Sequence, residues 1–182
     1  MSHNNYNTTI VEALLKSENH IRGLAKLLNT NQTSIARKVK ELYKGNVVDF
    51  RQEGKNKVVF LKKTLEAKQY AYVAETQKLL AILKRYHHLR RIVEIIKKKE
   101  RISLAVLFGS YAKGISKEES DIDIYLDTTD NKLKEEVESV DSKISVKIGR
   151  YDKESLLIKE IEKNHVIIKG IEAYYEKNKF FD

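Results

Sequence analysis

The sequence predicts an α+β protein in three parts: short helices followed by a hairpin over residues 7–63, a helical linker over 64–100, and a small mixed-sheet unit over 101–182. Three observations predict this. Apolar residues recur at three- and four-residue spacing through most of the first hundred positions. From Ile102 onward a short apolar run and strict alternation take over, the marks of strands. Pro is absent and Gly occurs only 7 times, so each glycine stands out as punctuation.

The elements follow in order. Thr8 to Lys16 places Ile10, Val11, Leu14 and Leu15 at helical spacing, and His20 to Leu28 does the same with Ile21, Leu24, Ala25 and Leu28. After the polar break Asn29-Thr30-Asn31, Thr33 to Lys44 turns Ile35, Val39 and Leu42 inward, and Gly45-Asn46 ends that helix. Val47, Val48 and Phe50 begin a strand, Gln52 to Asn56 is a turn around Gly54, and Val58 to Leu61 is the returning strand. Thr64 to Glu100 lacks Gly and repeats Tyr72, Leu79, Leu80, Leu83, Tyr86, Leu89, Val93 and Ile96. This reads as one long helix or two in sequence, and suits a linker or a dimer seam. His87-His88 within it cannot chelate one ion together if helical, because adjacent residues point about 100° apart. Ile102 to Phe108 is a buried strand ending at Gly109-Ser110, and Tyr111 to Ser116 starts a short helix. Asp121 to Leu126 alternates as a second strand, Lys132 to Val140 is helical, Ser142 to Ile148 is a third strand, and Lys153 to Asn164 and Ile167 to Lys177 are helices.

Composition narrows the function classes. Hydrophobic residues make up 41% of the 182, enough for a packed core. No Cys is present, which excludes disulfides, thiolate zinc sites and cysteine nucleophiles. Met1 to Asn7 is polar and lacks the apolar centre of a signal peptide, and no run of about 18 apolar residues occurs. A cytoplasmic protein away from membranes is expected. The net charge of +9 is uneven: residues 1–64 carry 12 Lys/Arg against 5 Asp/Glu, and residues 101–182 carry 14 against 17. The basic N-terminal part suits a polyanion, since clustered cations gain by releasing counterions from a phosphate backbone.

The chemistry-bearing pattern is Leu107-Phe108-Gly109-Ser110, ten residues, then Asp121-Ile122-Asp123. Transfer of a phosphoryl or nucleotidyl group spreads negative charge over phosphate oxygens, which Mg²⁺ neutralises when held by hard carboxylates. Residues two apart on a strand face the same way, so Asp121 and Asp123 can converge on one cation. Gly109 allows a sharp turn and a close approach of phosphate to backbone. Ser110 then offers its hydroxyl and nearby amides at the start of a helix. Singly, each residue reads as a turn or a solvated strand face; the combination at this spacing is what carries the assignment.

This pattern resembles the Gly-Ser, ten residues, Asp-x-Asp signature of the polymerase-β-like nucleotidyltransferases. Tyr111-Ala112-Lys113-Gly114 and Ser120 further resemble the minimal prokaryotic members, over about the last 80 residues. The resemblance implies a small mixed-sheet nucleotidyltransferase fold. It implies that Gly109 and Ser110 contact the nucleotide phosphates, and that Asp121 and Asp123 are catalytic and bind Mg²⁺ or Mn²⁺. ATP or another NTP would be the substrate, with AMP the expected group transferred. Some members are antitoxins that adenylylate a partner toxin, so a protein acceptor is among the expected partners; others modify antibiotics or nucleic-acid ends. One departure stands out. Members usually carry a third carboxylate on a following strand, and Lys143 to Gly149 has none: Ser145 and Lys147 occupy the face where the acid is expected. A Lys there reduces metal affinity or replaces one ion's charge, and Asp141 and Asp152 substitute only with a shifted alignment. The alternative is therefore a catalytically degenerate nucleotide-binding, DNA-binding transcriptional regulator.

Arg22 to Val48 resembles a winged helix-turn-helix, with its third helix starting at Asn31-Gln32-Thr33-Ser34. In such folds the start of this helix enters the major groove. Gln32, Thr33, Ser34 and Arg37 are then placed for base edges, Lys38 and Lys40 for phosphates, and Arg51, Lys55 and Lys57 for the backbone beside the wing. DNA is the expected partner, and a homodimer would suit a palindromic site. The competing reading is a winged helix used for protein contact.

Overall fold

The computed structural model describes residues 6–54 and 56–182. Most of the polar Met1 to Asn7 stretch and the wing residue Lys55 therefore lie outside the described residues. The chain forms two compact units, one reaching Ala74 and including Phe180–Asp182, the other Glu75–Lys179.

In the first unit, α1 (Tyr6–Lys16) buries Ile10, Val11 and Leu14, and α2 (Ile21–Leu27) buries Leu24 and Ala25. The next helix, α3 (Gln32–Lys44), starts where the Asn31 side chain accepts from the Ser34 N–H at 2.8 Å, satisfying a donor that the helix itself leaves free. Ile35, Val39 and Leu42 form its buried stripe. Strands β2 (Val48–Glu53) and β3 (Asn56–Leu61) pair antiparallel, with Gly54 in the left-handed conformation at the turn. A two-residue strand β1 (Asn19–His20), not foreseen in the sequence, joins β3 so that the sheet runs β1-β3-β2. Helices followed by a β wing make this unit a winged helix-turn-helix. The helix α4 (Leu65–Arg85) begins in this unit and continues past Ala74 into the second.

The second unit is built on a four-stranded mixed sheet in the order β6-β5-β4-β7. Its strands are β4 (Ala105–Leu107), β5 (Ile122–Asp127), β6 (Ile144–Gly149) and β7 (Val166–Lys169). Only β5 and β6 are parallel, and the helix between them, α7 (Asn131–Glu138), makes the crossover such a pair requires. Alternation decides what each face does. Leu107, Ile122, Ile124, Leu126, Ile144 and Val146 turn to the main core, where α7 and α5 (Leu89–Lys98) cover them with Leu133, Val137, Ile92, Val93 and Ile96. Asp123, Tyr125 and Asp127 turn the other way, beside Ser145, Lys147 and Gly149 of β6.

Two expectations are corrected here. Residues 167–177 do not form one helix: Val166–Lys169 is strand β7, and α9 (Ile171–Asn178) starts after Gly170. Gly170 sits at φ +82° with its backbone against Ser103, where a Cβ would lie 3.0 Å from the Ser103 carbonyl carbon. His87 and His88 are not helical either; they occupy the turn between α4 and α5, and His88 Nε2 sits 3.2 Å from the Tyr111 hydroxyl.

Beneath α9 lies a buried polar group. Glu75, only 1% exposed, contacts Lys78 Nζ at 2.8 Å and accepts from the Tyr175 hydroxyl at 3.2 Å. His165 Nε2 approaches the same carboxylate oxygen at 3.5 Å. Burial pushes Glu75 up, but the His165 and Lys78 contacts outweigh it and hold the carboxyl below its ordinary value. None of the described helices is long and apolar enough to cross a membrane.

Candidate functional site

The sequence between Leu107 and Asp123 folds as strand, one-turn helix, loop and strand. Phe108 leaves β4 in an extended conformation and donates its N–H to the Asp123 carbonyl at 3.0 Å, zipping the end of β4 to β5. Gly109 follows at φ +68° and opens the single-turn helix α6 (Gly109–Ala112). A left-handed backbone is open to glycine and strained for other residues. Space makes the same demand: a Cβ here would lie 3.1 Å from Asp123 Cγ and closer still to Oδ2. The Asp123 carboxylate therefore rests directly on the Gly109 backbone. Ser110, half-buried, is the next residue along the turn.

Asp121, exposed, immediately precedes β5, and Asp123, half-buried, is its second residue. Asp123 is pushed above its ordinary value, first by burial and then by the negative charge of Asp121, with a further push from Glu160 and an opposing pull from Lys147. Asp123 thus lies on the glycine turn, and Asp121 is near enough for its charge to act on Asp123.

The following strand brings no carboxylate to this face. In the parallel register Asp123 stands beside Ser145, and Tyr125 beside Lys147. Asp141 and Asp152 are spent on local turns: each accepts from the backbone N–H two residues on, Lys143 and Glu154, at 2.9 Å. Among the described residues no group of three or more His, Asp or Glu side chains is placed to hold a metal ion. Glu160, on α8 (Leu156–Lys163), was not singled out in the sequence. Its Oε1 lies 3.7 Å from Lys113 Nζ, just beyond α6, and nothing local in an amphipathic helix signals that neighbourhood.

The carboxylates of Asp121 and Asp123, the latter lying on the Gly109 turn, offer hard oxygen donors beside the Ser110 hydroxyl. These residues fit a divalent cation such as Mg²⁺ or Mn²⁺.

In the first unit, Gln32, Thr33, Arg37 and Lys40 are exposed on α3, while Ser34 is partly covered and its N–H is taken by Asn31. Lys38 is paired with Glu41 at 2.7 Å. Arg51 is held by Glu18 and Glu53. Lys57 lies 4.0 Å from the centre of the Phe50 ring, a cation–π contact on the wing.

Comparison with known proteins gives two kinds of result. Solved structures align with part of the chain, among them the two that follow. The adhesin competence repressor of Streptococcus pyogenes is 19% identical, with a TM-score of 0.42, covering 50% of this chain and 68% of that one. The homodimeric winged helix-turn-helix DNA-binding domain of a possible ArsR-family transcriptional regulator from Mycobacterium bovis is 20% identical, with a TM-score of 0.36, covering 47% of this chain and 75% of that one. No curated protein matches significantly. Residues 90–174 match the family model described as polymerase beta, nucleotidyltransferase. The match begins at α5 and spans the whole sheet, including Gly109-Ser110 and the Asp121/Asp123 pair. Residues 90–174 are accordingly a polymerase beta nucleotidyltransferase domain.

Proposed function

We propose that the second unit transfers a nucleoside monophosphate, AMP first among them, from a nucleoside triphosphate to an acceptor hydroxyl. The observation that carries this reading is the Asp123 carboxylate lying on Gly109, with Asp121 just before the same strand and its charge acting on Asp123. The triphosphate sits on the Gly109-Ser110 turn beside the Asp123 carboxylate, which occupies the side-chain space of Gly109, and the Ser110 hydroxyl donates to one of its oxygens. Asp121 and Asp123 would hold a divalent cation, which would supply positive charge to the phosphates. The acceptor oxygen attacks the α-phosphorus, the bond from that phosphorus to the bridging oxygen breaks, and pyrophosphate departs with the bridging electrons. The acceptor proton passes to solvent or to a nearby carboxylate.

The acceptor is a protein side chain, a small molecule or a nucleic-acid end, and an antitoxin-like role would require a separate toxin as acceptor. The first unit is proposed to bind DNA in a cytoplasmic setting, through the exposed start of α3 and the wing, as a homodimer on a palindromic site. A second reading, a nucleotide-sensing regulator without transfer activity, is favoured by one observation: β6 brings Ser145 and Lys147, not an acid, to the site face. Incubation with α-labelled ATP, Mg²⁺ and cell extract separates the two. Label carried to an acceptor and lost in Asp121→Ala/Asp123→Ala supports transfer. Retained nucleotide binding without any transferred label supports the regulator.

A further inference from the structure

Two divalent cations held together for phosphoryl chemistry bring four positive charges into a small space, twice what two carboxylates neutralise. On this side of the sheet Glu160 faces Lys113 at 3.7 Å and Asp127 faces Lys177 at 2.8 Å, which leaves Asp121, Asp123 and the Lys147 ammonium as the charges not already paired with each other. Lys147 leaves β6 on the same side as Asp123 and Tyr125, one strand pair beyond Ser145. It is exposed, and its positive charge acts on Asp123. The lysine side chain is long enough to reach back along the strand toward a diagonal neighbour two residues away. Its flexible stem keeps the compact ammonium mobile and close to water.

We infer that Lys147 stands in for the second cation, so that the site works with one divalent ion bound by Asp121 and Asp123 and with the Lys147 ammonium against the triphosphate. This inference rests on the nucleotidyltransferase reading above and sets its cation count. The charge balance favours it. Two carboxylates compensate one dication in full, and the lysine adds a positive charge that opposes entry of another. A triphosphate gains from the same ammonium through a charge-assisted hydrogen bond. Lys147 thus acts with opposite sign on the two ligands, weakening the hold on free metal and strengthening the hold on nucleotide.

That opposition is the test. Binding is measured on the full-length protein by Mn²⁺ paramagnetic resonance and by calorimetry with a non-hydrolysable α,β-methylene ATP. The wild-type protein with saturating analogue is expected to bind one Mn²⁺ per chain. Lys147→Gln should bind Mn²⁺ alone several-fold more tightly, yet bind the analogue without metal about tenfold more weakly. Lys147→Asp should take up a second Mn²⁺ with the analogue present. A residue that only supports the strand would move both affinities in the same direction or neither. Circular dichroism of both variants checks folding, and an exposed position tolerates both substitutions. Two Mn²⁺ on the wild-type protein, or unchanged affinities in Lys147→Gln, would overturn the inference and leave the nucleotidyltransferase reading standing. Mn²⁺ binding that survives Asp121→Ala/Asp123→Ala unchanged would bring down both.

Discussion

The carboxylate of Asp123 fills the volume that any side chain at Gly109 would need. Glycine at 109 and aspartate at 123 are therefore one structural unit. Gly109→Ala meets two penalties, a left-handed backbone worth about 1–2 kcal/mol and a clash with the carboxylate. The variant should melt lower and lose nucleotide binding. Asp123→Ala removes the clash and leaves the backbone penalty, so the double variant should be more stable than the sum of the single losses. Thermal melts of the four proteins measure that coupling.

The same carboxylate makes stability fall as pH rises. Asp123 has a folded-state pKa above its ordinary value, from burial first and the Asp121 charge second. Its protonated form is favoured by folding, a contribution fully present below the ordinary carboxylate pKa and lost as pH rises through the raised one. Asp123→Asn should match or exceed wild-type stability at neutral pH, and the difference should close on acidification. Adding Mn²⁺ at neutral pH should raise the melting temperature of the wild-type protein and not of Asp123→Asn.

Glu75 behaves in the opposite sense. Its folded pKa is lowered: burial raises it, and the His165 and Lys78 contacts more than reverse that. The stabilisation is present above the ordinary carboxylate pKa and is lost as pH falls through the lowered one. Glu75→Gln should destabilise the second unit at neutral pH by about 1–3 kcal/mol, since Lys78 and the Tyr175 hydroxyl lose a charged acceptor. The gap from wild type should narrow in acid. Urea titrations at a series of pH values follow both trends.

DNA binding is expected to separate the basic residues of the first unit. Arg37 is exposed on α3 near its start, so Arg37→Ala should weaken the preferred sequence by about 1–3 kcal/mol and relax the preference. Lys57→Ala should weaken all sequences alike and lower the salt slope by about one. Arg51→Ala should do less than either, because Glu18 and Glu53 already engage its guanidinium. Fluorescence anisotropy with a labelled duplex over rising salt reads all three.

What could be read from the sequence tracks how local each feature is. Gly109-Ser110 and Asp121/Asp123 were legible because a turn and an alternating strand are short-range patterns, and the lack of an acid from Lys143 to Gly149 was legible for the same reason. The strand Val166–Lys169 was not, since three apolar residues before a helix carry no period of their own; its identity is settled by pairing with Leu107 and Val106 some sixty residues earlier. Glu75 gave no signal either. On a helix rich in charged residues it reads as solvated, and only the return of α9 and β7 a hundred residues later buries it. Glu160 belongs with it: an ordinary surface acid in sequence, a neighbour of the site in space.

The position of β6 at the rim of the sheet has a consequence for how the molecule avoids its own kind. A rim strand offers unpaired amides that invite another polypeptide to add on. Here the Val146 amide, which lies on that open side, is capped by Glu138 of α7 at 2.9 Å, and the exposed lysines 143 and 147 flank it. A passing strand must evict the glutamate and crowd against two ammonium groups, so strand addition is opposed at this edge of the sheet.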